Sequence, residues 1–373
     1  MNDYVRIGQF INTLGTGGIE ALVTNWQKCI DQTKIKFDYI VKTSNTSLYE
    51  ESIQRFGGRI IPIVEKEPQL SRIGFTKKFV SFYRLVKREQ YKVIHFHASS
   101  SLTFIYAFIA RLAGVKSLFV TAHTSSTPPS MNFPRKLLSA VLKLLFVNLF
   151  KKRFACSAAA GNWLFGEKNF EILNNGIFVS QFRYSESRRL RIRNELKIVD
   201  RFVIGHVGRF EYAKNHRFMI DLFSIIKKKC DNAFLLLVGE GSLKESIIQK
   251  VNDMHLEKDV LFLEFTDKVS DLLQAFDVFL FPSIYEGLGI AAIEAQAASL
   301  RVVASDSIPK ETGITELIEY YSLDNNLDEW VEAILSHRHG YERNDTSELI
   351  KKAGYDIEDT CKYLMEQYLL HGA

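Results

Sequence analysis

The stretch "DVFLFPSIYEGLGIAAIEAQAA", residues 277–298, passes from strand to turn to helix. The apolar run at its start is typical of a buried strand, and the Ala-rich run at its end is typical of a helix. The turn between them carries Glu286 and two glycines. A helix start offers unpaired N–H groups to an anion. Glu294 lies two turns inside the helix, where an acid is costly unless paired, so a hydroxyl-rich ligand is one interpretation and a surface helix is the other.

The same order of strand and helix recurs along the chain. Strand-like runs occupy 4–10, 37–41, 59–63, 92–97, 117–122 and 153–157, and again 201–210, 232–241, 259–265, 277–282 and 301–305. Amphipathic segments separate them, which predicts βαβ units and parallel sheets. The alternation stops at an Asn-Asn-Gly turn and a polar, Arg-rich run. We therefore expect an α/β protein with domains at 1–175 and 201–355, a linker at 176–200, and a last helix at about 356–373 that packs on either domain.

Charge is distributed unevenly between the two halves. Residues 1–175 carry 24 Lys and Arg against 11 Asp and Glu, whereas the remainder carries 24 against 32. A basic half suggests nucleic acid or an anionic membrane as partner. Because no zinc-finger, RNA-recognition or helix-turn-helix pattern is present, we expect no nucleic-acid partner and favour the membrane surface. We predict neither a signal peptide nor a transmembrane helix, and reduced cysteines in a cytosolic protein.

Three loops that follow predicted strands contain residues suited to anions. In open parallel sheets, ligands bind outside the carboxyl ends of the strands. The glycine turn "NTLGTGGIE" (12–20) brings backbone N–H groups close to an anion or is a plain turn. The glycine turn "VGEGSLKE" (238–245) brings backbone close to a nucleotide or is a plain turn. "HVGRFEYAKNH" (206–216) places Arg209 and Lys214 beside a predicted helix start, which indicates a diphosphate clamp or two solvated charges.

Histidines also stand at predicted strand ends. His123 precedes a Ser/Thr/Pro loop, and His95 and His97 lie in "IHFHAS". A structural role and a functional one are both open for each of them. No HExxH motif and no His/Cys/Asp cluster occurs, so we expect no protein-bound metal.

The segment "NFPRKLLSAVLKLLFVNLFKKRF" (132–154) is apolar with basic ends. Lys143 interrupts its apolar stretch, which is too short to span a bilayer. The segment is predicted to be either a helix lying on an anionic membrane interface or an amphipathic core helix with a basic tip.

Taken together, these motifs resemble a known family. "GRFEYAKNH", "LLVGEGSLKE" and "FPSIYEGLGIAAIEAQAASLRVVASD" are similar to the retaining glycosyltransferases of family 4. Glu286 and Glu294 match the E-x7-E motif of that family, and "TGGIE" matches its glycine loop. The opening "IGQFINTLGTGGIEALVTNW" most resembles the bacterial exopolysaccharide and capsule branch. The resemblance implies a GT-B fold, in which two Rossmann-like domains face a central cleft. In one departure, "FLEFTD" (262–267) has Glu264 where many relatives have glycine.

The resemblance also implies a set of site residues. Those assigned to catalysis are His123, Arg209, Lys214 and Glu286. Those assigned to substrate binding are Gly17, Gly18, Gly208, Gly239, Gly287, Leu288, Gly289, Ile290 and Glu294. By this correspondence Glu294 holds the ribose of a nucleotide. Glu286 and the N–H groups that follow it hold the donor sugar and phosphates. Arg209 and Lys214 neutralise the diphosphate. Gly17 and Gly18 close on the diphosphate, and His123 contacts the donor sugar or orients the acceptor.

The implied reaction is transfer of a sugar from a nucleotide sugar, commonly a UDP-sugar, with retention of anomeric configuration. The acceptor is a saccharide, expected on a lipid diphosphate, in bacterial surface polysaccharide synthesis at the inner face of the cytoplasmic membrane. The family generally needs no bound metal and no cofactor. Alternatives are a GT-B sugar-nucleotide epimerase, a glycan phosphorylase, or a non-catalytic membrane-associated assembly partner. The E-x7-E helix argues against the epimerase. The lack of a suitably placed lysine for pyridoxal phosphate argues against the phosphorylase. The retained charged residues argue against loss of activity.

Overall fold

The structure is a computed structural model of the chain. It describes residues 4–15, 18–43, 49–65, 72–124, 133–264, 266, 268–324 and 326–372, with the backbone alone for 72–75. The chain divides into two compact units. Unit 1 consists of Met1–Gly176 and Ile357–Ala373, and unit 2 is Ile177–Asp356.

Unit 1 is built on a parallel sheet, seven-stranded in its described part, with the order β3-β2-β1-β4-β5-β6-β7. Its strands are β1 (Val5–Ile11), β2 (Ile35–Thr43), β3 (Arg59–Val64), β4 (Val93–Ala98), β5 (Ser117–Ala122), β6 (Lys152–Ala155) and β7 (Glu171–Ile172). Every residue of β4 and β5 is buried. Central parallel strands are covered on both faces, which explains their nearly continuous apolar sequence.

Helices cover the sheet of unit 1. They are α1 (Gly18–Cys29), α2 (Glu50–Arg55), α3 (Arg72–Glu89), α4 (Thr103–Leu112), α5 (Phe133–Phe146), α6 (Ala158–Phe165) and the last helix of the chain, α15 (Ile357–Gly372), with a 3-10 turn at Val147–Leu149. The sequence left the packing of α15 open. In the structure α15 is part of unit 1, where Tyr368 packs edge-on against Phe37 with ring centroids 5.9 Å apart.

Unit 2 repeats this plan with the order β10-β9-β8-β11-β12-β13, again all parallel among the described strands. The strands are β8 (Phe202–Val207), β9 (Ala233–Val238), β10 (Val260–Leu263), β11 (Val278–Phe281), β12 (Arg301–Ser305) and β13 (Ile318–Tyr321). Alternate residues of β11 enter opposite apolar clusters: Phe279 and Phe281 on one face, Val278 and Leu280 on the other. This follows from the two-residue period of a strand.

The helices of unit 2 include two before the first strand. They are α7 (Val179–Phe182), α8 (Glu186–Glu195), α9 (His216–Lys229), α10 (Lys244–Asp253), α11 (Val269–Ala275), α12 (Ile290–Ala297), α13 (Leu327–Leu335) and α14 (Ser347–Lys352), with 3-10 turns at Tyr212–Lys214 and Lys310–Thr312. Two parallel α/β sheets confirm the predicted fold class. The short β7 and β13 were not foreseen, because neither has a continuous apolar run.

The sequence assigns residues 176–200 to a linker, but residues 177–200 contain α7 and α8 and belong to unit 2. Two of their arginines are largely buried against one carboxylate. Arg189 donates to Asp277 at 2.5 Å, and the Arg193 guanidinium lies 3.2 Å from the same carboxylate. This carboxylate also accepts from the backbone N–H of Val203 at 2.7 Å. The polar run is therefore a packed structural element.

Unit 1 has a comparable carboxylate near the amino ends of its strands. Asp38 is fully buried and accepts from Arg6 at 2.6 Å, from Arg59 at 2.5 Å and from the Tyr91 hydroxyl at 2.9 Å. A buried carboxylate is tolerated only with such partners. In each unit, an acid tied to arginines fixes the amino-terminal edge of the sheet and leaves the carboxyl-terminal edge for chemistry.

Candidate active site

The strand order of unit 2 reverses between β8 and β11. Because ligands of open parallel sheets bind where the strand order reverses, we expect the ligand-binding site at the loops after these two strands. Lys214 lies in the loop after β8, and Glu286 lies in the loop after β11. The Lys214 ammonium donates to Glu286 Oε1 at 2.5 Å and lies 5.1 Å from the ring centroid of Phe281. The fold thus brings together two residues that are 72 positions apart.

Two glycines let the neighbouring loops approach backbone to backbone. The Gly208 N–H donates to the Val238 carbonyl at 3.0 Å, and the Gly239 N–H donates to the Leu263 carbonyl at 3.0 Å. A Cβ added to Gly239 would lie 2.1 Å from the Gly208 carbonyl oxygen. No side chain fits there, so the glycine of "VGEGS" is required for packing as well as for any ligand approach.

The turn before α12 leaves backbone N–H groups unpaired at the start of that helix. Gly289 has φ +84°, which favours glycine, and the Thr312 hydroxyl donates to the Leu288 carbonyl. Within the described chain, the backbone N–H groups of Leu288, Gly289 and Ile290 have no hydrogen-bond partner. Gly287 precedes them and is exposed. Unpaired N–H groups at a helix start attract an anion.

Glu294 lies in the interior of α12. Burial raises the pKa of its carboxyl to about 7. The residue is half-buried, and within the described chain its carboxylate has no hydrogen-bond or ion-pair partner. An unpaired acid in such surroundings is unfavourable, and a ligand hydroxyl would supply the missing donor.

Arg209 is the more accessible cation of the site. Its side chain is 55% exposed and donates to Glu211 at 3.2 Å. Arg209 and Lys214 therefore both have carboxylate partners in this structure. An arriving diphosphate would compete with those carboxylates, most easily for the exposed Arg209, because exposed ion pairs are weak.

Two buried histidines behind this loop were not singled out by the sequence. His206 donates from Nδ1 to the Leu280 carbonyl at 2.8 Å, and its Nε2 has no partner in the described chain. His216, the first residue of α9, stacks on Phe210 with ring centroids 4.1 Å apart, and both of its ring nitrogens lack partners there. Burial lowers the pKa of His216 to about 3 and the pKa of His206 as well. Both rings are thus neutral and supply no charge to the phosphate loop.

In unit 1 the strand order reverses between β1 and β4. The Asn12 amide donates to the Ser99 hydroxyl at 2.9 Å and joins the two exit loops. Gly18 is the first residue of α1, and a Cβ at that position would meet open space. Gly17 lies outside the described residues.

His123 follows the last residue of β5. Its backbone N–H donates to the Ala98 carbonyl at 3.0 Å, and its Nε2 lies 3.1 Å from His97 Nδ1. Burial lowers the pKa of His123 to about 4. The sequence noted these histidines but missed Gln9 and Tyr368, which bond to them. Gln9 had a signal, because it is a polar residue inside the apolar run of β1.

Glu264 lines a cavity of unit 2 together with Leu263, whose carbonyl accepts from the Gly239 N–H. The cavity has a volume of about 410 Å³, and its lining includes Arg191, Leu196, Thr266 and Lys268. Its described lining contains none of the implied site residues. The structure thus gathers Gly208, Lys214, Gly239, Glu286 and the start of α12 in unit 2, and places His123 and Gly18 in unit 1.

The chain is similar to known proteins over most of its length. The family model described as Glycosyl transferases group 1 matches residues 188–352, and that described as Glycosyltransferase Family 4 matches residues 16–181. HepE of Anabaena, solved in complex with UDP and glucose, superposes with a TM-score of 0.78 at 17% identity, over 97% of this chain and 99% of that one. At that identity the likeness shows the GT-B fold alone.

Two relatives have a higher sequence identity to this chain. An Escherichia coli protein named UDP-Gal:alpha-D-GlcNAc-diphosphoundecaprenol alpha-1,3-galactosyltransferase is 24% identical over 78% of this chain and 76% of its own. EpsF of Bacillus subtilis, which is named as a glycosyltransferase, is 30% identical over 97% of this chain and 96% of its own. With two family models covering most of the chain and a relative of this identity over its whole length, the chain belongs to the glycosyl transferases group 1, the GT-B glycosyltransferases of family 4.

Proposed function

We propose that the protein transfers a sugar from a UDP-sugar to a saccharide carried on a lipid diphosphate, with retention of anomeric configuration, in bacterial surface polysaccharide synthesis. The observation that carries the proposal is the carboxyl edge of unit 2. A lysine, unpaired N–H groups of a helix start and an unpaired acid converge on two adjacent loops there. The Escherichia coli relative, named for a UDP-Gal donor and a diphosphoundecaprenol-linked acceptor, supports the choice of donor and acceptor class.

Each residue of this edge has a role that its chemistry suits. Glu294 accepts hydrogen bonds from the ribose hydroxyls, which supply the donors that it lacks. The N–H groups of Leu288, Gly289 and Ile290 bind the phosphates and the sugar. Lys214 and Arg209 neutralise the charge that develops on the departing diphosphate. Glu286 orients Lys214 and accepts from a sugar hydroxyl.

Transfer on one face of the sugar fits these groups. The bond from the anomeric carbon to the diphosphate oxygen breaks as the acceptor oxygen forms its bond from the same side. The acceptor proton passes to the departing phosphate oxygen. Two cations and a helix start supply the positive charge that stabilises the leaving group, and on this basis we propose that turnover needs no added metal.

The decisive experiment is a thermal-shift screen of the purified protein against UDP-, GDP- and ADP-sugars, with and without EDTA. We expect stabilisation by a UDP-sugar that EDTA leaves unchanged. Transfer to a lipid-diphosphate saccharide, followed by NMR assignment of the new linkage, then tests retention. Stabilisation by another nucleotide would correct the donor. Nucleotide binding without transfer to any acceptor would favour a non-catalytic assembly partner.

We also propose that unit 1 binds an anionic membrane through α5. This helix buries a single side chain, Leu142. Its large exposed apolar residues are Phe133, Leu137, Leu138, Val141, Leu144 and Leu145. Phe108 of α4 extends the patch, with its ring 5.0 Å from that of Phe146. A continuous apolar face with basic residues beside it is typical of a helix that lies in a membrane interface.

The positive charge near this face comes from Arg135 and Lys136, which are exposed at the start of α5. Lys143 is not part of the face, because its ammonium lies 4.0 Å over the Trp163 ring and donates to the Trp163 carbonyl. None of the described helices is long and apolar enough to cross a bilayer.

Co-sedimentation with vesicles tests the membrane proposal. We expect the wild type to bind vesicles containing phosphatidylglycerol at low salt and to be released by salt. The double variant Leu144→Asp/Leu145→Asp should lose binding. Leu349→Asp, at a 51% exposed leucine of unit 2, is the matched control and should bind like the wild type. Equal binding of all three proteins would reject α5 as the membrane contact.

A further inference from the structure

Unit 1 contains a continuous chain of buried hydrogen bonds that ends at His123. His123 Nε2 lies 3.1 Å from His97 Nδ1, and His97 Nε2 lies 3.0 Å from Gln9 Oε1. The Gln9 amide nitrogen donates to the Tyr368 hydroxyl at 3.1 Å, which lies 2.6 Å from His95 Nδ1. His95 Nε2 lies 2.7 Å from the Thr121 hydroxyl.

The fold places these side chains on one face of three adjacent strands. Gln9 of β1 is in register with His95 of β4, and His97 of β4 is in register with Thr121 of β5. Tyr368 reaches them from α15. Every member before His123 is at least 99% buried, so water is excluded from the chain of bonds.

The orientation of the Gln9 amide dictates where the protons lie. A neutral imidazole has one donor and one acceptor nitrogen. Since Gln9 presents its oxygen to His97, His97 donates from Nε2 and accepts at Nδ1. His123 must then donate from Nε2, which leaves its Nδ1 as an acceptor. Reversing the Gln9 amide would reverse every donor and acceptor along the chain and put the proton on His123 Nδ1.

We propose that Gln9, His97 and Tyr368 are positioning residues that hold the proton of His123 on Nε2, so that Nδ1 accepts a hydrogen bond from a hydroxyl of the donor sugar or the acceptor. The catalytic part rests on the proposed function. Within the described residues, Nδ1 is the ring nitrogen of His123 that no protein group engages. Tyr368 acts at a distance, through Gln9 and then His97.

The test removes one hydroxyl from the middle of the chain of bonds. Tyr368→Phe keeps the ring that packs on Phe119, with centroids 5.8 Å apart, but leaves neither orientation of the Gln9 amide fully paired. His123 should then populate both tautomers. Tyr91→Phe is the matched control, because it also removes a buried hydroxyl of unit 1, one that donates to Asp38 and not to this network.

The first readout is the tautomer of His123, measured without substrate by two-bond ¹H–¹⁵N correlation of histidine-labelled protein and assigned with His123→Gln. We expect the Nε2–H form in the wild type and in Tyr91→Phe, and a mixture in Tyr368→Phe. The second readout is transfer, where Tyr368→Phe should lower kcat at least tenfold with KM for the donor nearly unchanged. Both tyrosine variants should lose a few degrees of Tm.

An Nδ1–H wild type, or an unchanged single tautomer in Tyr368→Phe, would overturn the positioning role. A tautomer shift with kcat no lower than in Tyr91→Phe would overturn the link to catalysis. A wild type that neither binds a nucleotide sugar nor transfers a sugar would refute the proposed function, and the substrate-free tautomer measurement would still decide the positioning role.

Discussion

At the carboxyl edge of the unit 1 sheet, Gln9, His95 and His97 find their hydrogen-bond partners inside the protein. At the same edge of unit 2, the ring nitrogens of His216 and the half-buried carboxylate of Glu294 have no partner within the described chain. Since the two sheets share one strand plan, the difference arises from the residues placed at the edge. An internally paired edge is arranged before any ligand arrives, whereas an unpaired edge gains its partners from the ligand.

The largest effect on activity is expected at Lys214. We expect Lys214→Ala to lower kcat about 100- to 1000-fold, with a smaller loss of donor affinity, because it removes a cation aimed at the leaving diphosphate. Steady-state kinetics with the donor found in the thermal-shift screen measure it. Lys250→Ala is the control, because Lys250 is equally exposed and bonds to Asp221 at 2.6 Å. Similar rates for the two variants would remove Lys214 from the site.

The amino-terminal edges should respond alike in both units. Asp38→Ala leaves the partly buried Arg6 and Arg59 without their shared carboxylate, and we expect a loss of about 3 kcal/mol in the free energy of unfolding. Asp277→Ala should have a similar but smaller effect, since its side chain is 16% exposed. Urea unfolding measures both. Unchanged stability in either variant would show that the acid of that unit does not fix its sheet edge.

A smaller effect is expected at Glu294. Burial raises its pKa in the folded protein from 4.5 to about 7, so between those values the folded chain holds a proton that the unfolded chain has lost. Stability of the free protein therefore falls as pH rises through this window, and Glu294→Gln should raise Tm at pH 8 but not at pH 4.

The same substitution should weaken UDP binding about tenfold at pH 8, the loss of one charged hydrogen-bonding group. The terminal phosphate of UDP also ionises in this range, so the comparison is between the two proteins: wild-type affinity should rise more steeply from pH 6 to 8 than that of the variant. Isothermal titration measures both. The same pH dependence in the two proteins would place the ribose elsewhere.

The smallest effect is expected from the histidines of unit 1. Burial lowers the pKa of His123 to about 4 and that of His95 to about 3, so both stay neutral from pH 6 to 8. In Glu294→Gln, kcat should change less than twofold across this range. A remaining inflection between pH 6 and 7 would show that a histidine titrates in the working enzyme and would contradict the neutral network.

The sequence was sufficient for features that depend on local order. Alternating strands and helices predicted two parallel sheets, and the turn with Glu286 before a run of helix formers predicted the start of α12. Residues 176–200 were assigned to a linker because five arginines in a polar run are typical of a solvated segment. Only the fold shows that Asp277, far along the chain, neutralises two of them.

The network of unit 1 could not be predicted in the same way. Gln9 and Tyr368 are 359 positions apart, and no spacing rule connects them. The sequence shows that His95 and His97 lie on one side of a strand. Whether they bind a ligand or other side chains of the protein depends on the residues that α15 places beside them. Buried polar pairs from distant elements are fixed by packing, and a local pattern carries no record of them.

The discontinuity of unit 1 has a consequence for how the chain folds during synthesis. Unit 2 is one uninterrupted stretch, whereas unit 1 is interrupted by it and resumes at Ile357. The nascent sheet of unit 1 must wait for unit 2 to leave the ribosome before α15 covers Gln9, His95 and the Trp26 carbonyl, which Cys361 approaches to 3.7 Å. Closing so long a loop is slow. Unit 2 can therefore fold before unit 1 is complete, and a chain released before α15 would display the polar groups of unit 1 to chaperones and proteases.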